Sequence, residues 1–354
     1  AASATAMSSG EKTNNGTIGQ DTLQQPLETM VEHMEKRGKS TGVVTSVPFP
    51  HATPAAFLAH NDSRGHYSEI AREMILQTGV DVIMGAGHPE YDVDGKTTTD
   101  TSYRYVGGYD LWQKLKAGQV ATDADGDGIP DTWTLIQERS EFQELANGET
   151  PKRLIGVPLV GSTLQLERFM ASETGTPYSV PFIESVPTLT EMSLAALNVL
   201  DNNKNGFFLM IEGGGVDWAS HANHLGRMIE EEIEFNKTIE AVYAWVEENS
   251  SWDETLIIIT GDHETGYLTG PGSNPDSTGS DPVLEDIWKP LVNNGKGEVP
   301  GAQWHTGGHV NSLIPFYSKG AGSARFVEAA TRVDLVRGNF LDNTDIGKII
   351  KSFQ

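Results

Sequence analysis

The sequence contains no cysteine. Disulfides and thiolate zinc sites are therefore excluded, and the redox compartment is not readable from this residue type. Cationic side chains are scarce: 25 Lys and Arg stand against 49 Asp and Glu, for a formal net charge of −24. A nucleic-acid-binding surface needs a basic face, and this balance argues against one. An anionic ligand is repelled overall, so a phosphate site here has to reverse the local field with metal ions and an Arg. Long apolar runs are missing too. No stretch approaches the roughly 18 residues of a membrane span, and the apolar share of 37% is ordinary for a globular chain. No internal repeat is visible and no signal-peptide pattern opens the sequence; AASATAMSSG reads as the middle of a helix.

What is present is alternation of short apolar runs with helical periodicity. The 354 residues are ample for one large core, and the chain reads as a single domain over 1–354. Leu27, Met30, Val31 and Met34 recur at helical spacing, with Gly38 closing that helix. Residues 42–47 and 80–84 read as strands, with helices between them through Leu58 and over 63–77. Strand–helix–strand alternation of this kind predicts a mostly parallel sheet with helices on its faces. Residues 88–188 are rich in Gly, Pro, Asp and Thr and read as an irregular insertion. Regular order resumes with a helix over 190–200, a strand over 207–211, a long helix carrying Ile229, Ile233, Ile239, Val242 and Val246, and a strand over 255–260. Residues 266–303 form a loop-rich excursion. A further strand, 313–318, and two short helices end the chain.

Residues able to bind ions cluster where these strands end. In FFLMIEGGGVDWASH the apolar run meets Glu212, three glycines, Asp217 and His221. In open α/β sheets, ligands gather beyond the carboxyl ends of strands. Asp217 and His221 share a helix face at i and i+4, a spacing that can grip one metal ion; the plain alternative is an N-cap Asp and a surface His. Asp262 and His263 follow the strand over 255–260, as a turn or as ligands. In WHTGGH, either His305 or His309 can reach an ion, or neither. Arg64, in SRG at a predicted helix start, can present its fork to a tetrahedral anion, although most Arg residues are surface charges. Together these residues fit phosphoryl transfer. Zinc takes His and carboxylate, magnesium takes oxygen from Thr and Glu, and an Arg holds the equatorial oxygens.

At this point the chain resembles the alkaline phosphatases over nearly its full length. The matching segments are AASATAM with GEKTNNGTIG, HATPAAFLAHNDSRG, FFLMIEGGGVDWASHANH, GDHETGY and TGGHVNSLIPFYSKG, in that order. The resemblance implies a three-layer α/β/α sandwich and hydrolysis of phosphate monoesters through a phosphoserine. It implies two zinc ions and one magnesium. Asp217, His221 and His309 correspond to ligands of the first zinc, Asp262 to a ligand of the second with His263 beside it, and Thr53 and Glu212 to magnesium ligands. Arg64 corresponds to the phosphate clamp. His51 stands where some members have Asp, and Trp218 where others have Lys or His. That pair resembles cold-adapted and marine bacterial members and implies substrate-side roles with a weaker magnesium site. A homodimer, with 266–303 as its crown, and a periplasmic or secreted location are further implications. A zinc phosphodiesterase or sulfatase, and a non-catalytic zinc- and phosphate-binding fragment, are the rival readings.

One departure matters. In the family, AASATAM follows an Asp-Ser pair whose Ser is the nucleophile, and here Ala1 comes first. The expectation is a fragment lacking the first strand and that Ser, inactive as it stands. Separately, Asp123, Asp125, Asp127 and Asp131 alternate around Gly126 and Gly128. This pattern supplies oxygen ligands to calcium in loop sites, or is a solvated acidic turn. Thr134 at the twelfth position, where an EF-hand has Glu, argues against an ordinary EF-hand.

Overall fold

In the computed structural model, residues 1–124, 126–169, 175–274, 288–335 and 337–353 are described. Helices α1 (Ala2–Ser9) and α2 (Met30–Glu35) precede strand β1 (Ser40–Pro48). Helices α3 (Ala52–Leu58) and α4 (Tyr67–Leu76) then lead to β2 (Val82–Ala86). Next come α5 (Tyr109–Lys116), β3 (Ala121–Thr122), β4 (Asp131–Ile136), α6 (Arg139–Leu145) and β5 (Arg153–Gly156). Helix α7 (Leu189–Leu200) returns the chain to β6 (Phe207–Glu212). Helices α8 (Gly215–His221) and α9 (Leu225–Asn249) follow, then β7 (Leu256–Thr260), β8 (Glu264–Thr265), β9 (His309–Val310) and β10 (Phe316–Gly320). The chain ends through α10 (Ala324–Ala329), β11 (Arg332–Asp334), β12 (Gly338–Phe340) and α11 (Asn343–Lys351).

Six strands form the main sheet in the order β3-β4-β5-β2-β1-β6, parallel except where β3 meets β4. Successive residues of a strand face opposite sides, and here they enter two different cores. Val43, Ile83, Ile155, Phe208 and Met210 pack on one side with α3, α4 and α5. Val44, Val82, Met84, Leu154, Leu209 and Ile211 pack on the other with α6 and α7. Helices thus cover both faces, giving the three-layer α/β/α arrangement and mostly parallel sheet that the sequence predicts. Capping boxes start four described helices: Thr29 with Glu32 at α2, Glu138 with Glu141 at α6, Thr188 with Glu191 at α7, and Asp342 with Asp345 at α11. No described helix is long and apolar enough to cross a membrane.

Residues 88–188 are more ordered than their composition predicts, because β4 and β5 within them belong to the main sheet. β5 is four residues long and opens on the buried Arg153, so it offers no apolar periodicity to read. β7 pairs antiparallel with β10 in a separate two-stranded sheet. β10 starts after Pro315, three residues later than predicted. In the 266–303 excursion, residues 275–287 lie outside the described residues. The flanks carry isolated bridges between Thr269 and Gln303 and between Val292 and Gly301.

Candidate active site

β1 and β6 run in register, so Thr45 lies opposite Glu212 at the strand ends. Thr45 Oγ1 donates to Glu212 Oε2 at 2.5 Å, and the Thr53 hydroxyl, from the first turn of α3, also donates to that carboxylate. Burial pushes the Glu212 carboxyl up to about 7, with Asp262 and Asp217 adding repulsion. The three glycines after Glu212 permit a close approach of backbone and side chains. A Cβ at Gly214 would lie 2.8 Å from Val47, and one at Gly215 would lie 2.2 Å from Glu231 Oε2. The turn therefore enters α8 flat against β1 and α9.

Helix α8 is only seven residues long. It places Asp217 in its first turn and His221 in its last, then gives way at Asn223, whose φ is 53°. Asp217 Oδ1 lies 3.5 Å from His221 Nε2 and 3.3 Å from His309 Nε2. The two Nε2 atoms are 2.9 Å apart. Among the described residues this is the group of three metal-ligating side chains whose donor atoms all lie within 4.8 Å of one another. The His221 Nδ1–H donates to the Gly307 carbonyl at 2.6 Å, so the Nε2 lone pair faces Asp217 and His309. This is how a ligating imidazole is usually fixed. Thr265 Oγ1 donates to Asp217 Oδ1 at 2.5 Å and orients it from β8. The donor set of one carboxylate and two imidazoles, converging through Asp217 Oδ1 and the two Nε2 atoms, fits a zinc ion.

Asp262 and His263 follow β7 and contact each other at 3.2 Å; the His263 ring stacks on that of His309, with centroids 3.5 Å apart. Burial, with His263 close by, holds His309 below the ordinary imidazole range. Ala1, His51, Thr53, Arg64, Glu212, Asp217, Trp218, Asp262, His263 and His309 all line one small pocket. Of the predicted set, His221 reaches it through Asp217 and His309. His51 is 8% exposed and stacks on Tyr67 at 4.9 Å, with Trp218 at 5.0 Å. Its Nε2 is buried with no hydrogen-bond partner among the described residues. Burial, reinforced by Arg64 and Arg104, pulls its pKa down to about 3, so the ring is neutral.

Arg64 does not start a helix as predicted. Ser63 N–H donates to Asn61 Oδ1 and Gly65 N–H to Ser63 Oγ; these local bonds compete with helix formation and delay α4 to Tyr67. His305 does not join the Asp217, His221 and His309 group; its Nε2 is bonded to Thr269 Oγ1 at 2.7 Å. In the acidic loop, Asp123 accepts from Gly128 N–H and Asp127 from Ile129 N–H. Asp131 is buried in an ion pair with Lys152 at 2.7 Å, and Asp125 lies outside the described residues. The sequence reading missed Thr45, Thr265 and the Gly307 carbonyl. Of these, only Thr45 carries a sequence signal, its place in a strand expected to pair with that of Glu212.

The family model described as alkaline phosphatase matches residues 1–350. Alkaline phosphatase 4 of Bacillus subtilis is 29% identical over 294 residues, which covers 80% of this chain and 53% of that protein. The Escherichia coli K12 alkaline phosphatase is 28% identical, covering 74% and 57% respectively. The chain spans about half the length of the curated relatives it matches. Among solved structures, the cold-active alkaline phosphatase of Shewanella sp. superposes with a TM-score of 0.67 at 25% identity, over 99% of this chain and 84% of that one. The enzyme of the Antarctic bacterium TAB5 gives 0.65 at 26%, over 99% and 82%.

Proposed function

Because the chain belongs to the alkaline phosphatase family, we propose that it forms the metal- and phosphate-binding part of a phosphomonoester hydrolase. The observation that carries this reading is the convergence of Asp217, His309 and Arg64, from separate parts of the sequence, on one pocket. Asp217, His221 and His309 hold one zinc ion. Asp262 and His263 serve a second, and Glu212 with Thr53 serves magnesium. His51, neutral and with an unpartnered Nε2, would serve that third cation less directly than a carboxylate. When bound, the divalent cations supply the Lewis-acid charge that polarises the phosphoryl oxygens and lowers the cost of nucleophile and leaving group.

The chain's own groups do the rest. The Arg64 guanidinium takes two non-bridging phosphate oxygens in its fork and holds them as negative charge spreads over them. Trp218 and His51 form the apolar side of the pocket and limit how the ester can lie. His221, fixed by Gly307, and Asp217, fixed by Thr265, keep their orientation through the cycle, so no reorganisation is required during reaction. In a phosphoserine route a Ser oxygen would attack phosphorus and expel the ester's alcohol, and water would then displace that oxygen to release inorganic phosphate and restore the Ser. Ala1 is 8% exposed and lines the same pocket as Arg64 and Asp217. A homodimer with residues 266–303 at its crown, in a periplasmic or secreted setting, and calcium at the acidic loop complete the reading.

The test is an assay of a chromogenic phosphate monoester, with zinc and magnesium added, on residues 1–354 and on a version extended upstream by a strand ending in Asp-Ser. Turnover by the extended protein, with the monoester preferred over the matching diester, is the expected result. An extended protein that binds zinc but hydrolyses neither ester, or prefers the diester, overturns the reading.

A further inference from the structure

Two neighbouring glutamates of α9 have opposite surroundings. Glu230 takes both nearby guanidiniums, Arg168 at 2.7 Å and Arg227 at 3.2 Å. Glu231 is 8% exposed. Among the described residues its carboxylate accepts no hydrogen bond, and Arg168 and Arg227 reach it only at longer range. A buried carboxylate without a partner is costly, and burial pushes this one up to about 7.

Glu231 lines a cavity of about 360 Å³, behind the main sheet's Gly-rich turn. The walls are largely apolar, with Leu164, Phe182, Val186, Leu189 and Phe235 among them. Of the other charges at the cavity, Glu184 is exposed to solvent and the remaining two are paired. Arg139 is gripped by Glu191 through bonds of 2.9 to 3.1 Å, and Glu234 pairs with Lys237 at 2.5 Å. What remains is Glu231, the one buried anion of the lining without an ion pair, in an apolar chamber large enough for a small molecule.

We infer that this cavity binds a small organic cation, its ammonium group against the Glu231 carboxylate and its apolar body between Phe182, Val186, Leu189 and Phe235. The site is separate from the metal pocket but shares a wall with it: Gly213 lines the cavity and Gly214 lines the pocket. A ligand there presses on the turn that leads into Asp217. The site therefore has the position of an effector site. The inference needs neither bound metal nor turnover, so it stands or falls apart from the phosphatase reading.

The experiment is a calorimetric and thermal-shift titration of the full chain with phenethylammonium, at mildly alkaline pH, against its neutral counterpart phenethyl alcohol. The expected result is saturable binding of the amine that weakens about tenfold or more for the alcohol and in Glu231→Gln. Val186→Trp, which fills the cavity and keeps Glu231, abolishes amine binding. Should Glu231→Gln fail to fold, the alcohol and Val186→Trp decide the matter. Absence of saturable binding, equal affinity for the alcohol, or undiminished binding in either variant overturns the inference.

Discussion

Arg168 and Glu230 meet at 2.7 Å with side chains 0% and 2% exposed. The same carboxylate accepts Arg227 Nη1 and the Tyr178 backbone N–H, so one buried anion is shared by two cations at the foot of α9. Breaking such a set by removing one partner is far more costly than the set is worth. Glu230→Gln is expected to lower stability by about 3–5 kcal/mol, read from urea denaturation. A midpoint within error of the parent would mean that the two guanidiniums find other partners.

A second prediction concerns pH. Burial pushes the Glu35 carboxyl up to about 7 from its ordinary 4.5, and Asp81 and Glu32 push the same way. The unfolded chain gives up this proton near 4.5, while the folded protein keeps it until about 7. The folded state is therefore favoured most below the lower value and loses that contribution as pH rises through the upper one. Glu35→Gln should match the parent in acid and exceed it by about 1–3 kcal/mol at mildly alkaline pH. Melting curves across the interval test this; a gap that does not change with pH would rule it out.

These two buried clusters were invisible before the fold was known, whereas the sheet was largely legible. Val43 and Val44, Phe207 to Ile211 and Leu256 to Thr260 announce strands because both faces of each are covered or partly covered by apolar packing. β5 gave no such signal. Its first residue is Arg153, fully buried, with its guanidinium 3.9 Å above the Trp133 ring and bonded to the Val80 carbonyl. A charge that satisfies itself in the core looks, in sequence, like a loop residue. The same limit applies at the site. Asp217, His221 and His309 stand out by residue type, but the Thr265 hydroxyl and the Gly307 carbonyl that orient them have no distinguishing spacing and depend on how distant loops return.

The two histidines of the 304–309 stretch separate the roles assigned there. His309→Ala should remove about one zinc per chain, since three protein ligands are the usual complement of such a site. His305→Ala should leave the zinc content unchanged, because its ring is occupied by Thr269. Metal analysis after gel filtration reads both. Equal zinc loss in the two variants would reject the assignment of His309.

Arg64 offers a test that separates charge from shape. Arg64→Lys keeps the positive charge but gives up the planar fork. In the zinc- and magnesium-loaded protein, inorganic phosphate should bind about tenfold more weakly, with little further loss in Arg64→Ala. Calorimetric titration measures this. A lysine variant as tight as the parent would show that charge alone matters.

At His51 the neutral ring offers magnesium a single nitrogen through water at best. His51→Asp should strengthen magnesium binding, seen as a larger rise in melting temperature with added magnesium. An unaltered magnesium response would remove His51 from the third cation site.

The bond between His221 and the Gly307 carbonyl, and that between Thr265 and Asp217, fasten the segment holding β7 to β10 onto helix α8. A cation shared by His221 and His309 would rivet two points 88 residues apart in sequence. Occupancy then governs mechanical integrity as well as reactivity: chelation should first free the backbone amides of 256–274 and 301–310 to exchange with deuterium, while β1 and β2, deep between two cores, stay protected.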